Sequence, residues 1–451
     1  MTENDIIKLA QDKSFSDRAL LEVMRVIRKH FGRGALTPNI RDALKDRKTI
    51  FDGLLVREKI DFTDNEGNIL TRDLVYTVDL NEYLDLLCEN RKLELNTTES
   101  VFGIDGGKKK LLVTLTLLEN DDTDDNGNKK KDTSADRVQV VAAVEDVPEN
   151  YENLKIILGK LRIDELLENY DILADLKLYN ILLGLMNHKS KHPCYICKTY
   201  QKEDGTWAVA DKRTLLNLIE DHDLWVDSKQ DRKFLKNYNN VQHPPLLKGN
   251  FEASVMELLP IPGLHCIKLG PVNLLIKFLG NEISLENFQR RHSLILETYH
   301  GGQYIGPDCD KIFANLDDLE NEVLEQNPSC VPFVDALRDL KEVYYISHAK
   351  ELIQNHREII KKIENSCMKL HSEFSLPLTP KLHIIFAHLP EYFEMTGKTL
   401  RRKTDQTVET THSKLDKFIK NHNYQIRDVN SEKSGEYLLR AIKHFNSYNL
   451  R

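Results

Sequence analysis

The sequence lacks a long apolar run. Its 451 residues contain no stretch of the ~18 consecutive apolar residues that a membrane-spanning helix needs. The most apolar long segment, 258–280, is interrupted by histidine, lysines and three prolines. The first eight residues contain no apolar segment of the kind found in secretory signals. We therefore expect neither a membrane helix nor a secretory signal.

Cysteine is also scarce. The chain has seven cysteines, an odd number, and only Cys194 and Cys197 lie close together in the sequence. A disulfide framework of a secreted protein needs a denser, even set, so this class is a poor fit. Reduced thiols in the cytosol or nucleus are the better expectation.

An excess of basic residues is missing as well. The chain has 63 Lys and Arg against 71 Asp and Glu, a net charge of −8. A net negative charge by itself argues against nucleic-acid binding, because contacts to phosphates need Lys and Arg. The distribution argues differently, because residues 25–48 and 396–451 each carry a net charge of +6. Solvated helix faces would explain both regions, and so would contacts to phosphates.

The pattern along the chain divides into four segments. Residues 1–96 have mostly helical periodicity, 97–198 are rich in β-formers, 199–380 are almost wholly helical and 381–451 predict two or three helices. Within the second segment we predict strands near 101–104, 110–118, 138–144 and 170–175, with helices after the third and fourth. This β-β-β-α-β-α order predicts an α/β core interrupted by a large all-α insertion. The polar stretch 120–132 is expected to be a hairpin tip.

Two aspartates accompany predicted strands. Asp105 follows an apolar run, and Asp175 ends the fourth strand. Acids at strands one and four can meet at one edge of a sheet, where paired carboxylates favour Mg²⁺ or Mn²⁺. Turn chemistry alone would also explain Asp105 in Ile-Asp-Gly-Gly. Other acids near this edge remain alternatives, namely Asp171, Glu145 and Glu149.

A Cys/His set predicts a second kind of metal site. Cys194 and Cys197 form a C-x₂-C pair, and His383 and His388 form an H-x₄-H pair. Together they supply the four nitrogen and sulfur ligands of a closed tetrahedral zinc site. The ordinary alternative is two buried thiols and two surface histidines. A zinc here would tie the exit of the helical insertion to its entry.

These residues occur in an order that resembles the catalytic core of the V(D)J recombinase and of the related Transib-type transposases. The order continues with Glu409, after the histidine pair, and the resemblance covers about residues 97–450. It implies an RNase H-like core whose catalytic triad is Asp105, Asp175 and Glu409, holding two Mg²⁺ or Mn²⁺ ions. It also implies a structural Zn²⁺ on the two cysteines and two histidines.

The resemblance further implies a DDE-type DNA transposase or recombinase that cleaves and joins strands at transposon ends. The expected partners are double-stranded DNA, as terminal inverted repeats and target, and a second copy of the chain. An accessory subunit and a nuclear location are also expected, and residues 1–96 are expected to contribute to binding of DNA ends. One alternative is a domesticated, catalytically silent DNA-binding protein. Another is a zinc-stabilised helical protein without a nucleic-acid role.

Overall fold

The computed structural model describes most of the chain and divides it into two compact units. The first unit comprises residues 1–172 and 407–451, and the second comprises 173–406. The described residues are 17–31, 49–94, 98–107, 109–118, 137–166, 170–186, 190–228, 232–297, 302–422, 424 and 433–450. The expected hairpin tip at 120–132 and most of the basic region 25–48 lie outside them.

A six-stranded sheet forms the centre of the first unit. Its strands are β1 Leu55–Thr63, β2 Ile69–Thr77, β3 Glu99–Gly107, β4 Lys110–Leu118, β5 Gln139–Glu145 and β6 Tyr170–Leu173. They lie in the order β1-β2-β5-β4-β3-β6. The pairs β1–β2, β2–β5, β5–β4 and β4–β3 are antiparallel. Strands β4 and β5 are buried along nearly their whole length, which explains their continuous apolar sequence.

Fifteen α-helices are assigned in the described residues, together with shorter 3₁₀ and π turns. In chain order they are α1 Asp17–Phe31, α2 Leu80–Arg91, α3 Tyr151–Leu161, α4 Leu176–Leu182, α5 Leu215–Asp227, α6 Gly270–Glu282, α7 Glu286–Arg291, α8 Gly306–Ala314, α9 Leu316–Gln326, α10 Val331–Ser347, α11 His356–Phe374, α12 Pro380–His383, α13 Leu389–Thr396, α14 Gln406–Asn421 and α15 Ser434–Tyr448. The mixed α/β class and the β-β-β-α-β-α order after residue 97 are confirmed.

The expectation of a mostly helical segment before residue 96 is wrong for residues 55–77, which form the β1–β2 hairpin. Every second residue of β1 faces inward, but the intervening charged side chains weaken the apolar alternation in the sequence. The turn at 64–68 is closed by the Asp64 carboxylate, which accepts hydrogen bonds from the backbone N–H groups of Glu66 and Asn68 at 2.8 Å. Gly67 has a φ of +86°, which glycine adopts without strain.

The last helix holds the first unit together at the far end of β5. The side chain of Asn446 in α15 accepts a hydrogen bond from Val140 N–H at 2.8 Å and donates to the carbonyl of the same residue at 2.8 Å. Its amide also donates to the Tyr83 hydroxyl. These bonds satisfy buried backbone groups beyond the end of the β2 pairing. Helix α15 thus supplies hydrogen-bond partners to the part of β5 that lies beyond its pairing with β2.

The second unit is largely helical. Its longest helices, α10 and α11, pack against each other through buried faces that include Leu337, Leu340 and Ile363. Between the helices, the described residues of this unit form loops with isolated two-residue bridges. In the part of the chain that the structure describes, no helix is long and apolar enough to cross a membrane.

Candidate metal centre

The four predicted zinc ligands come together in the second unit. The sulfur atoms of Cys194 and Cys197 and a ring nitrogen each from His383 and His388 all lie within 4.8 Å of one another. All four residues are buried, and Cys194 is fully enclosed. The predicted clustering is therefore confirmed, although the cysteines and histidines are almost two hundred residues apart in the chain.

The distances suit a tetrahedral ion. The Nε2 atoms of His383 and His388 are 3.1 Å apart, and each lies 3.2–3.3 Å from the sulfur of Cys197. Zinc bonds of about 2.0–2.3 Å in a tetrahedron put ligand atoms about 3.3–3.8 Å apart. A buried Cys₂His₂ set of this size fits a structural zinc and leaves no position for a substrate ligand.

Hydrogen bonds to backbone atoms shape the cysteine loop. The backbone N–H of Ile196 donates to the sulfur of Cys194 at 3.4 Å, and Cys197 pairs with Lys212 in an isolated bridge. The fully buried guanidinium of Arg213 donates to the carbonyl of Cys194 at 3.0 Å and to that of Asn239 at 3.0 Å. These charge-assisted hydrogen bonds join the backbone of the cysteine loop to that of Asn239.

A π turn brings the two histidines together. In an α-helix, residues five apart point about 140° away from each other. Residues Ile384–His388 instead form a π turn directly after α12. Its wider hydrogen-bond ring brings residues five apart to the same side. The H-x₄-H spacing therefore supplies two ligands to one ion only because the helix is locally widened.

Neighbouring side chains orient the histidine ligands. The Nδ1 atom of His388 lies 2.9 Å from Oε2 of Glu391, so Nδ1–H donates to the carboxylate and Nε2 faces the sulfurs. The ring of Trp207 lies 5.2 Å from that of His383. A carboxylate behind a ligating histidine is typical of zinc sites, where it fixes the tautomer and strengthens the ligand. Glu391 also lies 3.5 Å from the Lys212 amine.

The electrostatics favour one thiolate within the cluster. Hydrogen bonds from Cys194, His383 and His388 lower the pKa of the Cys197 thiol, while burial raises that of Cys194. Burial opposes a charge on His388, but its hydrogen bonds to Cys197 and Glu391 raise its pKa. A bound cation would hold both cysteines as thiolates, because zinc displaces the thiol protons.

The residues that support this cluster were not predicted from the sequence. Glu391 follows His388 by three positions, a spacing that places two helical side chains on the same face. That spacing was a usable signal. Arg213 and Trp207 carried no local signal, because only the folded loop brings them to the cysteines.

The predicted acidic triad is distributed over both units. Asp105 lies on β3, where Oδ2 is 2.8 Å from Nδ1 of the buried His412. Glu409 lies in the first turn of α14 and is exposed. Asp175 belongs to the second unit and caps α4, accepting a hydrogen bond from Leu178 N–H at 2.8 Å. Strand β6 ends at Leu173, two residues earlier than expected, so Asp175 lies at the start of a helix and not in the strand. The assignment of the three acids as a catalytic triad stays a prediction.

Helix α14 lies directly on β3. A Cβ atom added to Gly103 would be 2.4 Å from a methyl carbon of Val408, which is closer than two carbon atoms can pack. The ring of His412 lies over Gly107, where an added Cβ would be 3.5 Å away. Residues 103, 105 and 107 share one strand face, and 408 and 412 share one helix face. Glycine at 103 is what permits this close approach.

The alternative acids have different surroundings. Glu149 lies against Gly106, where an added Cβ would be 1.8 Å from its carboxylate oxygen. Glu145 lies 3.6 Å from the Lys110 amine, and burial raises the pKa of its carboxyl group. Asp171 is buried on β6. Glu149 thus adjoins the residue next to Asp105.

Part of the chain is similar to a known protein family. A model of a domain of unknown function, DUF8703, matches residues 62–214. No curated protein matches the chain. The matched region contains Asp105, Asp175, Cys194, Cys197 and Arg213, and it ends before His383, His388 and Glu409. The chain is therefore similar to this domain over about a third of its length, and the match assigns no activity.

Proposed function

We propose that the protein is a DDE-type DNA transposase or recombinase with an RNase H-like core. The supporting observation is the strand order β5-β4-β3-β6 together with the positions of two acids. An RNase H-like core has three antiparallel strands, then a helix, then a fourth strand beside the first. Here Asp105 is on the first of these strands, and Asp175 comes two residues after the fourth.

The helix that carries Glu409 supports the same proposal. α14 packs on β3 with Val408 against Gly103 and His412 against Asp105. Glu409 directly follows Val408 in the helix sequence and is exposed. A DDE triad needs its third carboxylate on a late helix, and the packing of α14 on the strand of the first aspartate supports this assignment for Glu409.

The carboxylates would hold two Mg²⁺ or Mn²⁺ ions, since hard cations prefer such oxygen ligands. The ions would lower the barrier by stabilising the attacking and leaving oxygens of an in-line displacement. Asp105, Asp175 and Glu409 would bind and space the ions, while the protein positions the phosphodiester. A water would attack at the transposon end, and the freed 3′-hydroxyl would attack target DNA.

The Cys₂His₂ cluster would serve the same activity by holding a structural Zn²⁺. All four ligands are protein side chains, so the ion would have no open position for chemistry. Zinc would join the start of the helical unit to the segment that leads into α14. The predicted partners are double-stranded DNA and a second copy of the chain, in the nucleus.

Nicking of DNA tests the proposal. The full-length protein with Mn²⁺ should nick and join DNA that carries the terminal repeats of its own element. Asp105→Asn, Asp175→Asn and Glu409→Gln should each reduce the rate at least about 100-fold, since ions held by fewer carboxylates stabilise the transition state less. Glu436→Gln, which changes an exposed helical glutamate of α15, is the matched control.

The outcome also separates the alternatives. Equal nicking by wild type and the triad variants would exclude the proposal. Specific binding to the repeats without nicking would favour the domesticated, catalytically silent protein. Neither binding nor nicking would favour the zinc-stabilised helical protein without a nucleic-acid role.

A further inference from the structure

His412 is a buried histidine in contact with an acid of the proposed triad. His412 is 4% exposed, and its Nδ1 atom lies 2.8 Å from Oδ2 of Asp105. Because a carboxylate oxygen accepts hydrogen bonds, Nδ1 carries the proton and donates it. Nε2 is buried and has no hydrogen-bond partner among the described residues. The ring therefore makes one directional polar contact, and that contact is with Asp105.

The surroundings fix the direction of this contact. The ring lies over Gly107, where an added Cβ would be 3.5 Å from the imidazole and 3.8 Å from Oδ2 of Asp105, both ordinary van der Waals distances. One turn earlier in α14, Val408 is seated on Gly103. Two contact points on alternating strand residues set the register of the helix on the strand. The imidazole therefore lies against β3 beside the Asp105 carboxylate, on a helix whose register the strand helps to set.

We propose that His412 is a positioning residue for Asp105, whose Nδ1–H holds Oδ2 and thereby presents the second oxygen, Oδ1, to a divalent cation. The same bond ties α14, and with it Glu409, to the strand that carries Asp105. His412 itself contacts neither the cation nor DNA in this role. The inference rests on the proposed function, because it presumes that Asp105 binds a metal ion.

The role predicts which replacements preserve the site. An asparagine side chain places its amide N–H near the position of Nδ1, whereas glutamine reaches toward the position of Nε2. Both are neutral amides without the ring, so they lose similar packing. Only His412→Asn keeps the donor to Asp105. Partners that orient metal ligands typically contribute 10–100-fold in metal affinity.

The test is a titration of Mn²⁺, followed by electron paramagnetic resonance, into the zinc-loaded full-length protein. Asp105→Asn identifies the signal from this site. His412→Gln should weaken Mn²⁺ binding at least about 10-fold, while His412→Asn should remain within about 3-fold of wild type. Thermal unfolding of both variants, measured in parallel, reports the shared loss of packing.

Each result decides between the positioning role and its rivals. An equal loss of Mn²⁺ affinity in both variants would mean a purely structural role and overturn the proposal. Unchanged Mn²⁺ affinity in both would also overturn it while leaving the triad intact. A wild-type protein without Mn²⁺ binding sensitive to Asp105→Asn would overturn both this inference and the metal-dependent function on which it rests.

Discussion

The Nε2 atoms of His383 and His388 lie 3.1 Å apart across a π turn. A regular α-helix would point these two rings in different directions, because residues five apart differ by about 140° around its axis. The π turn therefore decides whether the histidines form one metal site. π turns often occur at functional sites, and here the reason is the delivery of two ligands to one point.

Loss of the metal should destabilise the helical unit. We expect about one zinc per chain and a melting temperature that falls by about 10 °C or more after chelation, because structural zinc contributes several kcal/mol to folding. Cys197→Ser should abolish zinc binding and cause the same fall. Metal analysis and thermal unfolding measure both effects.

The matched control for this variant is Cys367→Ser, which changes a fully buried cysteine of α11 that is not in the cluster. It should keep the full zinc content, whatever its effect on packing. Zinc retained by Cys197→Ser at the wild-type level would show that the cluster is not the binding site.

Glu391 should affect how tightly zinc binds, but not whether the site binds zinc. Glu391→Ala removes the acceptor for His388 Nδ1–H and should weaken zinc binding about 10–100-fold. Glu391→Gln keeps an oxygen acceptor and should lose less. Competition with a chromophoric chelator gives both affinities. The same affinity in wild type and Glu391→Ala would mean that packing alone orients the ring.

The approach of α14 to β3 should require glycine at 103. A methyl group there would overlap Val408 and the hydroxyl of Thr114, so Gly103→Ala should destabilise by about 1–3 kcal/mol through overpacking. Urea unfolding measures this. Gly159→Ala, on the open surface of α3, is the control and should stabilise by up to about 1 kcal/mol. Val408→Ala should restore part of the loss in the double variant.

Two histidines of the second unit should give opposite pH effects on stability. Burial lowers the pKa of His348 below 6.5. The unfolded chain therefore binds a proton that the folded chain does not, and stability is lost as the pH falls below about 6.5. His348→Asn keeps the donor to the Tyr344 carbonyl and should reduce the loss at acid pH.

His371 works in the other direction. Its ring nitrogens contact the carbonyls of Asp204 and Leu376 at 2.9 and 2.8 Å, and these hydrogen bonds raise its pKa above 6.5. Its contribution is fully present below pH 6.5 and is lost as the pH rises through the raised value. His371→Gln should therefore cost more stability at pH 5.5 than at pH 8. Urea unfolding of wild type and of both variants at pH 5.5 and pH 8 checks both predictions. If lowering the pH changed the relative stability of the two variants in the same direction, the predictions would be contradicted.

The basic cluster before α14 should contact DNA phosphates if the proposed function holds. Replacing Arg401, Arg402 and Lys403 with alanine should weaken binding and reduce the slope of log affinity against log salt by about 2–3, since each phosphate contact contributes about 0.9. Replacing Lys361, Lys362 and Lys369, exposed on α11, removes the same charge elsewhere. An equal change in slope for both triples would leave only a general charge effect.

The sequence predicted the interior strands of the sheet and not its N-terminal extension. Strands β4 and β5 consist almost wholly of apolar β-formers, so their class was evident. In β1 and β2 the charged side chains interrupt the apolar alternation, so the two-residue period typical of a strand is weak in the sequence. The pairing of β2 with β5, across more than sixty residues, is what makes that hairpin part of the sheet.

The sequence by itself determined which side chains could bind zinc, because the C-x₂-C and H-x₄-H pairs supply two thiols and two imidazoles, the ligand types of a closed zinc site. Only the tertiary structure decided that they meet. That outcome depends on a π turn, a buried arginine and a carboxylate behind one histidine, all of them set by packing between distant segments. Net charge likewise came from composition, whereas the contact of His412 with Asp105 spans 307 positions. Local sequence patterns determine which reactive side chains the protein has, and long-range packing determines which of them come together in one site.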